Sequence, residues 1–148
     1  LVGTVNWGEL DFLLADLPPG TGHEPITMIE LMGKVDGTII VTTPQDVALQ
    51  DAQKAILFAK DNDVPIIGIV ENMSTLTCPR CHEEIDVFKS GGGEKIAARM
   101  NVPFLGRIPL DPEITKKCDE GKAFVANANG SKNSLIFKEI TKKAFHLK

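Results

Sequence analysis

Four apolar runs of strand length alternate along the chain with segments of helical period, and this alternation limits the fold more than any other feature. The runs are Phe12–Ala15, Thr38–Val41, Ile66–Val70 and Phe104–Ile108. Because they are rich in Ile, Val, Leu and Phe, they are typical of strands that are buried on both faces of a parallel sheet. We therefore expect an α/β fold, with a mostly parallel sheet and helices on both faces.

The segments between these runs predict the helices. Between the second and third strands, apolar and small residues recur at steps of three and four: Val47, Ala48, Ala52, Ala55, Ile56 and Ala59. We expect Thr43 to cap this helix and Pro44 to lie in its first turn. A second helix is expected after the glycines at 91–93. A last helix is expected from about Ser134 to Phe145, after a loop at 127–133.

Composition narrows the possible partners. The chain has 148 residues and is 43% hydrophobic, which is enough for one domain with a continuous core. A formal net charge of -4, without clustered Lys and Arg, argues against nucleic acid as a partner. No run approaches the roughly 20 apolar residues of a membrane helix, and no basic-then-apolar leader is present, so we expect a cytoplasmic protein without a membrane partner.

A carboxylate and a proline- and glycine-rich turn come after the first predicted strand, in the sequence Asp16-Leu-Pro-Pro-Gly-Thr-Gly22. Ligands of open parallel sheets bind beyond the carboxyl ends of the strands, where Asp16 would face a nucleotide and suit Mg²⁺. Gly20 and Gly22 would let backbone amides approach a phosphate oxygen. The alternative is an ordinary turn, because Pro-Gly dipeptides mark turns in many proteins.

Cys78 and Cys81 lie three positions apart in a polar stretch after the third predicted strand. Both sulfurs could bind one metal, but tetrahedral zinc or an iron–sulfur cluster usually needs four ligands. A symmetric dimer would supply the missing pair, and His82 could instead complete a zinc site. A redox-active pair and a pair without function are the alternatives. Cys118, in a charged helical context, is expected to be a helix residue rather than a ligand.

The glycines at 91–93 superficially resemble a phosphate cradle. The sequence Ser90-Gly-Gly-Gly-Glu-Lys95 lacks the Gly-x-x-x-x-Gly-Lys-Ser/Thr spacing of a triphosphate-binding loop, and Ile96 offers no hydroxyl for Mg²⁺. The other two Gly-Lys pairs, at 33–34 and 121–122, are followed by Val and Ala, not by the Ser or Thr that such a loop requires. We therefore expect the glycines to provide a tight helix entry, and we expect no triphosphate-binding loop in this sequence.

An ordered set of motifs resembles the Mrp-type ATPases, which belong to the MinD-like deviant P-loop group. The resemblance runs from about Trp7 to Gly121. The motifs are Trp7-Gly-Glu-Leu-Asp11, Asp16-Leu-Pro-Pro-Gly-Thr-Gly22, Thr42-Thr-Pro-Gln-Asp-Val-Ala48, Gly68-Ile-Val-Glu-Asn-Met-Ser74, Cys78-Pro-Arg-Cys81, Ser90-Gly-Gly-Gly-Glu-Lys95 and Gly106-Arg-Ile-Pro-Leu-Asp111.

The resemblance implies that residues 1–148 form the C-terminal part of one P-loop ATPase domain, with a Cys-x-x-Cys insertion at about 74–90. It implies a homodimer that binds and hydrolyses ATP, holds a bridging 4Fe-4S cluster and transfers the cluster to apo iron–sulfur proteins. Zinc is the alternative metal. The family's functional residues fall here on catalytic Asp16, on Asp16, Pro19, Gly20, Thr21 and Gly22 for Mg²⁺ and the γ-phosphate, on Asn72 and Pro109 for the adenine, and on Cys78 and Cys81 for the cluster.

Two departures from the family pattern keep other interpretations open. The family's deviant Walker loop and first switch have no counterpart in this sequence, so ATP hydrolysis is not expected from these residues alone. His23 stands where the family commonly has an acidic residue, and we expect an exposed loop histidine there. The rival hypotheses are a zinc-stabilised MinD-like scaffold or partitioning module and an inactive fragment.

Overall fold

The computed structural model describes residues 4–20, 22–78, 80, 81, 83–127 and 130–146. Within these residues, helices and strands succeed one another along the chain. Their bounds are α1 His23–Met32, β1 Thr38–Thr42, α2 Asp46–Asp61, β2 Ile66–Thr77, β3 Glu84–Ile85, α3 Gly92–Met100, β4 Phe104–Leu110, α4 Pro112–Asp119, α5 Phe124–Asn127 and α6 Lys132–His146.

The strand β2 lies at the centre of the sheet. It pairs in parallel with β1 on one side and with β4 on the other, and the short β3 pairs antiparallel with its last two residues. Ile69 lies opposite Ile40 of β1 and Phe104 of β4. The prediction of a mostly parallel sheet is confirmed, with strands that start where the apolar runs start at Thr38, Ile66 and Phe104.

Helices cover both faces of this sheet, as predicted. On one face, α2 and α3 contribute Ile56, Ile96 and Ala97 to a core cluster that also contains Ile40 and Ile69. On the other face, α6 packs against β2 and β4, and its Ile140 belongs to a second cluster: Val70, Leu105, Ile108 and Ile140. The alternating apolar residues of the strands therefore supply both cores.

The predicted strand at Phe12–Ala15 is wrong. These residues form no strand, and the Leu14 side chain is 88% exposed. The Phe12 ring instead meets the Phe145 ring of α6 edge-on, with centroids 4.7 Å apart. A strand needs a hydrogen-bonded neighbour as well as apolar side chains. In the described part of the chain, β1 pairs only with β2, and this segment does not join its other edge.

The helix boundaries are partly as predicted. The first predicted helix begins at Asp46 with Gln45 as its N-cap, so the prediction that Thr43 caps it is wrong: the Thr43 hydroxyl bonds to Gln45 Oε1, 3.3 Å away. The helix after the glycines begins at Gly92, as expected. The last helix begins at Lys132, because Ser131 Oγ accepts a hydrogen bond from the Ser134 amide and starts the turn early.

Candidate functional site

The parallel strands end at a common edge of the sheet, and Asn72 and Pro109 lie there side by side. Asn72 of β2 pairs with Ile108 of β4, so Pro109 is the next residue along the neighbouring strand. Both are half-buried. The Asn72 side-chain oxygen accepts the Met73 amide over 2.9 Å, which orients the carboxamide at this edge. The structure thus brings together two residues that are 37 positions apart in the sequence.

The segment from Asp16 to Gly22 leads into α1. Asp16, Pro19 and Gly20 are exposed. Gly20 has φ +109°, a backbone conformation that residues other than glycine rarely adopt. Thr21 lies outside the described residues. Gly22 is the N-cap of α1 and, having no side chain, leaves the first amides of the helix without a side-chain cap. In the described part of the chain, no hydrogen bond or ion pair joins Asp16 to Asn72 or Pro109.

His23 is the first residue of α1. It is exposed, as expected, but it belongs to a helix rather than to a loop.

The cysteine pair lies in a hairpin at the far end of β2. The strand runs seven residues beyond the predicted end at Val70 and stops one residue before Cys78. Between Asn72 and Leu76 the register with β4 shifts, and Met73 has φ +55°. Such a bulge bends a strand and redirects the residues beyond it. β2 therefore continues past the last residue of β1, bends at this bulge and presents the cysteines beyond the edge of the sheet.

The surroundings of the Cys78 sulfur lower the pKa of its thiol. The amides of Cys81 and then Arg80 donate to it, as does the Cys81 side chain, and together they lower the pKa of the Cys78 thiol below its ordinary value. The Cys78 amide itself donates to the Glu83 carbonyl oxygen over 2.9 Å, which closes the hairpin. Amide donors stabilise a thiolate, the form that binds metals. Pro79 and His82 lie outside the described residues.

The described residues supply two metal ligands at this hairpin. Cys78 is half-buried and Cys81 is exposed, both as free thiols. No group of three or more His, Cys, Asp or Glu side chains placed to hold a metal occurs within the described ranges. Cys118 is exposed on α4, in agreement with its prediction as a helix residue. The hairpin therefore forms half of a tetrahedral site at most, unless ligands come from outside these residues.

The glycines at 91–93 bind a carboxylate that belongs to the protein itself. Glu71, on β2, is fully buried, and its carboxylate accepts the Gly91 amide at 2.9 Å and the Gly93 amide at 2.6 Å. The backbone of Gly91 has a left-handed conformation, with φ +78°. A Cβ added to Gly93 would lie 3.0 Å from the Cβ of Glu71. The predicted tight helix entry is confirmed. A carboxylate, rather than a phosphate, occupies the positive end of α3.

Sequence reasoning does not single out Glu71. Arg107 of β4 lies beside it, with Nε 3.6 Å from Glu71 Oε1, and also pairs with the exposed Glu94 of α3. The only sequence signal is an acidic residue directly after an apolar strand, with a glycine-rich helix start 20 residues later. Because buried carboxylates need partners, that combination could have indicated an internal cap.

These features define the class of fold: an α/β protein with a mostly parallel sheet and helices on both faces. A family model described as ParA, NUBPL iron-transfer P-loop NTPase, matches residues 1–145. The chain belongs to this family, which confirms the resemblance found in the sequence motifs.

Two curated relatives are named iron-sulfur cluster carrier protein. The one from Methanocaldococcus jannaschii is 49% identical over 139 residues, covering 94% of this chain and 47% of the relative. The one from Methanococcus maripaludis is 52% identical over 121 residues, covering 82% and 42%. The chain thus spans about half the length of the curated relatives it matches.

Two solved structures share the fold. A nucleotide-binding protein from Archaeoglobus fulgidus in complex with ADP is 40% identical, with a TM-score of 0.68 over 78% of this chain and 47% of that one. The septum site-determining protein MinD from Pyrococcus horikoshii, complexed with Mg-ADP, is 26% identical, with a TM-score of 0.67 over 96% and 53%. Among the described helices of the present chain, none has the length and apolar character needed to cross a bilayer.

Proposed function

We propose that this chain is part of a cytoplasmic, ATP-dependent carrier that assembles a 4Fe-4S cluster and transfers it to apo iron–sulfur proteins. Family membership and two relatives named as iron-sulfur cluster carriers support the class of function. One observation carries the proposal to the residues: the hairpin, closed by the hydrogen bond from the Cys78 amide to the Glu83 carbonyl oxygen, holds the Cys78 and Cys81 thiols free, and neighbouring amides lower the Cys78 pKa.

Two hairpins would be needed to hold one cluster. A 4Fe-4S cluster takes four thiolates, and the hairpin offers Cys78 and Cys81. A homodimer with its two-fold axis at the hairpins would bring four together, so that cluster binding and dimerisation depend on each other. Because Cys81 is exposed, the described hairpin is accessible to a second copy.

The nucleotide would bind at the carboxyl edge of the sheet, as ligands of open α/β sheets do. Asn72 and Pro109, adjacent at that edge, suit the adenine side of the pocket. The loop of Asp16, Pro19, Gly20, Thr21 and Gly22 would serve Mg²⁺ and the γ-phosphate, with Asp16 as the catalytic carboxylate. The amides of Gly91 and Gly93 are already bound to Glu71, so these two do not hold the triphosphate.

ATP hydrolysis is proposed for the whole protein. The sequence has no Gly-x-x-x-x-Gly-Lys-Ser/Thr loop, and the chain covers about half of its curated relatives. Residues 1–148 are accordingly proposed to be the C-terminal part of one P-loop domain. ATP and ADP would change the dimer only in so far as the Asp16–Gly22 loop binds them differently.

Anaerobic loading with iron and sulfide tests the carrier proposal. We expect a broad visible absorbance band in the wild-type chain, and its loss in Cys78→Ser and Cys81→Ser. Cys118→Ser is the matched control, because it removes a thiol that is exposed on α4 and should keep the band. A colourless protein that binds zinc in proportion to Cys78 and Cys81 would instead support the zinc-stabilised scaffold and contradict the carrier.

A further inference from the structure

A cleft of about 490 Å³ separates the outer surfaces of α2 and α3. Its lining residues come from the first half of α2, from α3 and from the loop before α3. Leu49, which is half-buried, is its apolar residue with accessible surface, and Gln50 and Gln53 line it from α2. None of these residues belongs to the proposed nucleotide or cysteine sites.

The cleft is basic in an acidic protein. Lys89, Lys95 and Arg99 line it against the single carboxylate of Asp46, whereas the whole chain carries a formal charge of -4. Lys89 pairs with Asp46 over 2.8 Å, and Arg99 donates to the Gln53 side chain over 2.9 Å. Lys95 has no side-chain partner among the described residues. The cleft therefore keeps positive charge that its own residues do not neutralise.

The arrangement of the cations suits a row of carboxylates better than one phosphate. Lys95 and Arg99 are four residues apart on α3, which places them about 6 Å apart along the helix axis. A phosphate at a helix start would use the amides of the first turn. Those of Gly91 and Gly93 already donate to Glu71, so this usual anion site is filled from inside.

We propose that this cleft is the docking site for an acidic, amphipathic segment of a partner protein that exchanges the cluster with the carrier. Carboxylates one helical turn apart on the partner would meet Lys95 and Arg99, and an apolar side chain between them would contact Leu49. The glutamines can donate or accept hydrogen bonds at the rim. This inference extends the carrier proposal, because it names how the partner is recognised.

A short stretch of chain joins the cysteine hairpin to the cleft. The Cys78 amide bonds to the Glu83 carbonyl oxygen, and Lys89 comes six residues after Glu83. Even a fully extended segment of that length spans only about 20 Å. A partner that contacts Lys89 would therefore lie within about 20 Å of Glu83, at the base of the cysteine hairpin.

Peptide binding measured by fluorescence anisotropy tests the inference on the full chain. The probe is a labelled helical peptide of about 15 residues with glutamates at i and i+4 flanking a leucine, and its matched peptide carries glutamines instead. The test variant is Lys95→Glu/Arg99→Glu. The control variant is Lys138→Glu/Lys142→Glu, which makes the same charge change at the same helical spacing on exposed positions of α6.

We expect the glutamate peptide to bind the wild-type chain and the glutamine peptide not to bind. The test variant should bind about tenfold more weakly, whereas the control should stay within about twofold of wild type. Equal losses in both variants, no loss in either, or full displacement of the peptide by millimolar pyrophosphate would overturn the inference. Circular dichroism confirms folding, and Lys95→Gln/Arg99→Gln repeats the test without charge reversal.

The same samples are loaded with iron and sulfide, so that the two proposals fail separately. A chain that forms the cluster but does not bind the peptide would overturn the docking site and leave the carrier intact. Peptide binding at the cleft by a chain that forms no cluster would overturn the carrier alone.

Discussion

Replacing Glu71 by glutamine tests the internal cap of α3 with the smallest possible change of shape. Glu71 is fully buried, and its two oxygens accept the amides of Gly91 and Gly93. Glutamine has a single side-chain oxygen, so one of the two amides would face an NH₂ group instead of an acceptor. The substitution also removes the negative charge that faces the start of α3 and Arg107.

The expected cost can be worked out from these contacts. A hydrogen bond to a charged group contributes about 1.5–3 kcal/mol, and a buried donor without an acceptor costs about 1–3 kcal/mol. A charge at a helix start adds about 0.3–1 kcal/mol. These effects overlap, and we expect Glu71→Gln to lower the free energy of unfolding by about 3 kcal/mol. That is a large part of the about 5–15 kcal/mol typical of a domain.

Urea and thermal unfolding followed by circular dichroism measure this cost. For a chain of this length, about 3 kcal/mol corresponds to a fall in melting temperature of about 6–12 °C. Glu94→Gln is the matched control, because Glu94 pairs with the same Arg107 but its side chain is 57% exposed, and it should cost less than about 1 kcal/mol. If the two variants were equally stable, the buried carboxylate would not be the cap that we describe.

Three further outcomes are expected. In Gly68→Ala, the new Cβ would lie 2.7 Å from Leu105 Cγ and 2.9 Å from the Pro103 carbonyl oxygen. Calorimetry should therefore show that the free energy of unfolding falls by about 1–3 kcal/mol. Unchanged stability would refute this close approach of the strands. Because amides lower the Cys78 pKa, the pH midpoint of Cys78 alkylation should be lower in the folded chain than in the urea-unfolded chain. Between the two midpoints, the folded chain should contain more Cys78 thiolate than the unfolded chain. Identical midpoints would contradict this expectation. Lys89 lowers the Asp46 pKa by a hydrogen bond and by its charge, so Lys89→Met should raise the Asp46 midpoint in a carboxyl NMR titration, and a midpoint that stays in place would contradict the pairing.

The sequence predicts the paired strands and the helices between them because their apolar residues match the period of the structure. The apolar face of α2 and the start of α3 are clear examples. The sequence does not predict the features that depend on which strands pair with each other. Phe12–Ala15 has the composition of a buried strand, but composition does not show whether a neighbour is available. The extension of β2 to Thr77 is not visible in the sequence, because polar residues after Val70 hide a strand that continues through a bulge.

In the candidate site, too, some residues can be predicted from the sequence and others cannot. Spacing alone indicates Cys78 and Cys81, because two sulfurs at that spacing can reach one metal within a single turn. The role of Glu71 cannot be found in this way, since it depends on a contact between β2 and a helix start some 20 residues later. The basic cleft also depends on tertiary packing: Lys89 and Arg99 meet residues of α2 more than 40 positions away.

The central claim is that two cysteine hairpins share one cluster, and iron counting combined with analytical ultracentrifugation of the anaerobically loaded chain tests it most directly. The account predicts a dimer with about two iron and two sulfide ions per chain, which becomes monomeric when a chelator removes the iron. A loaded protein that remains monomeric, or a dimer that contains neither iron nor sulfide, would contradict it.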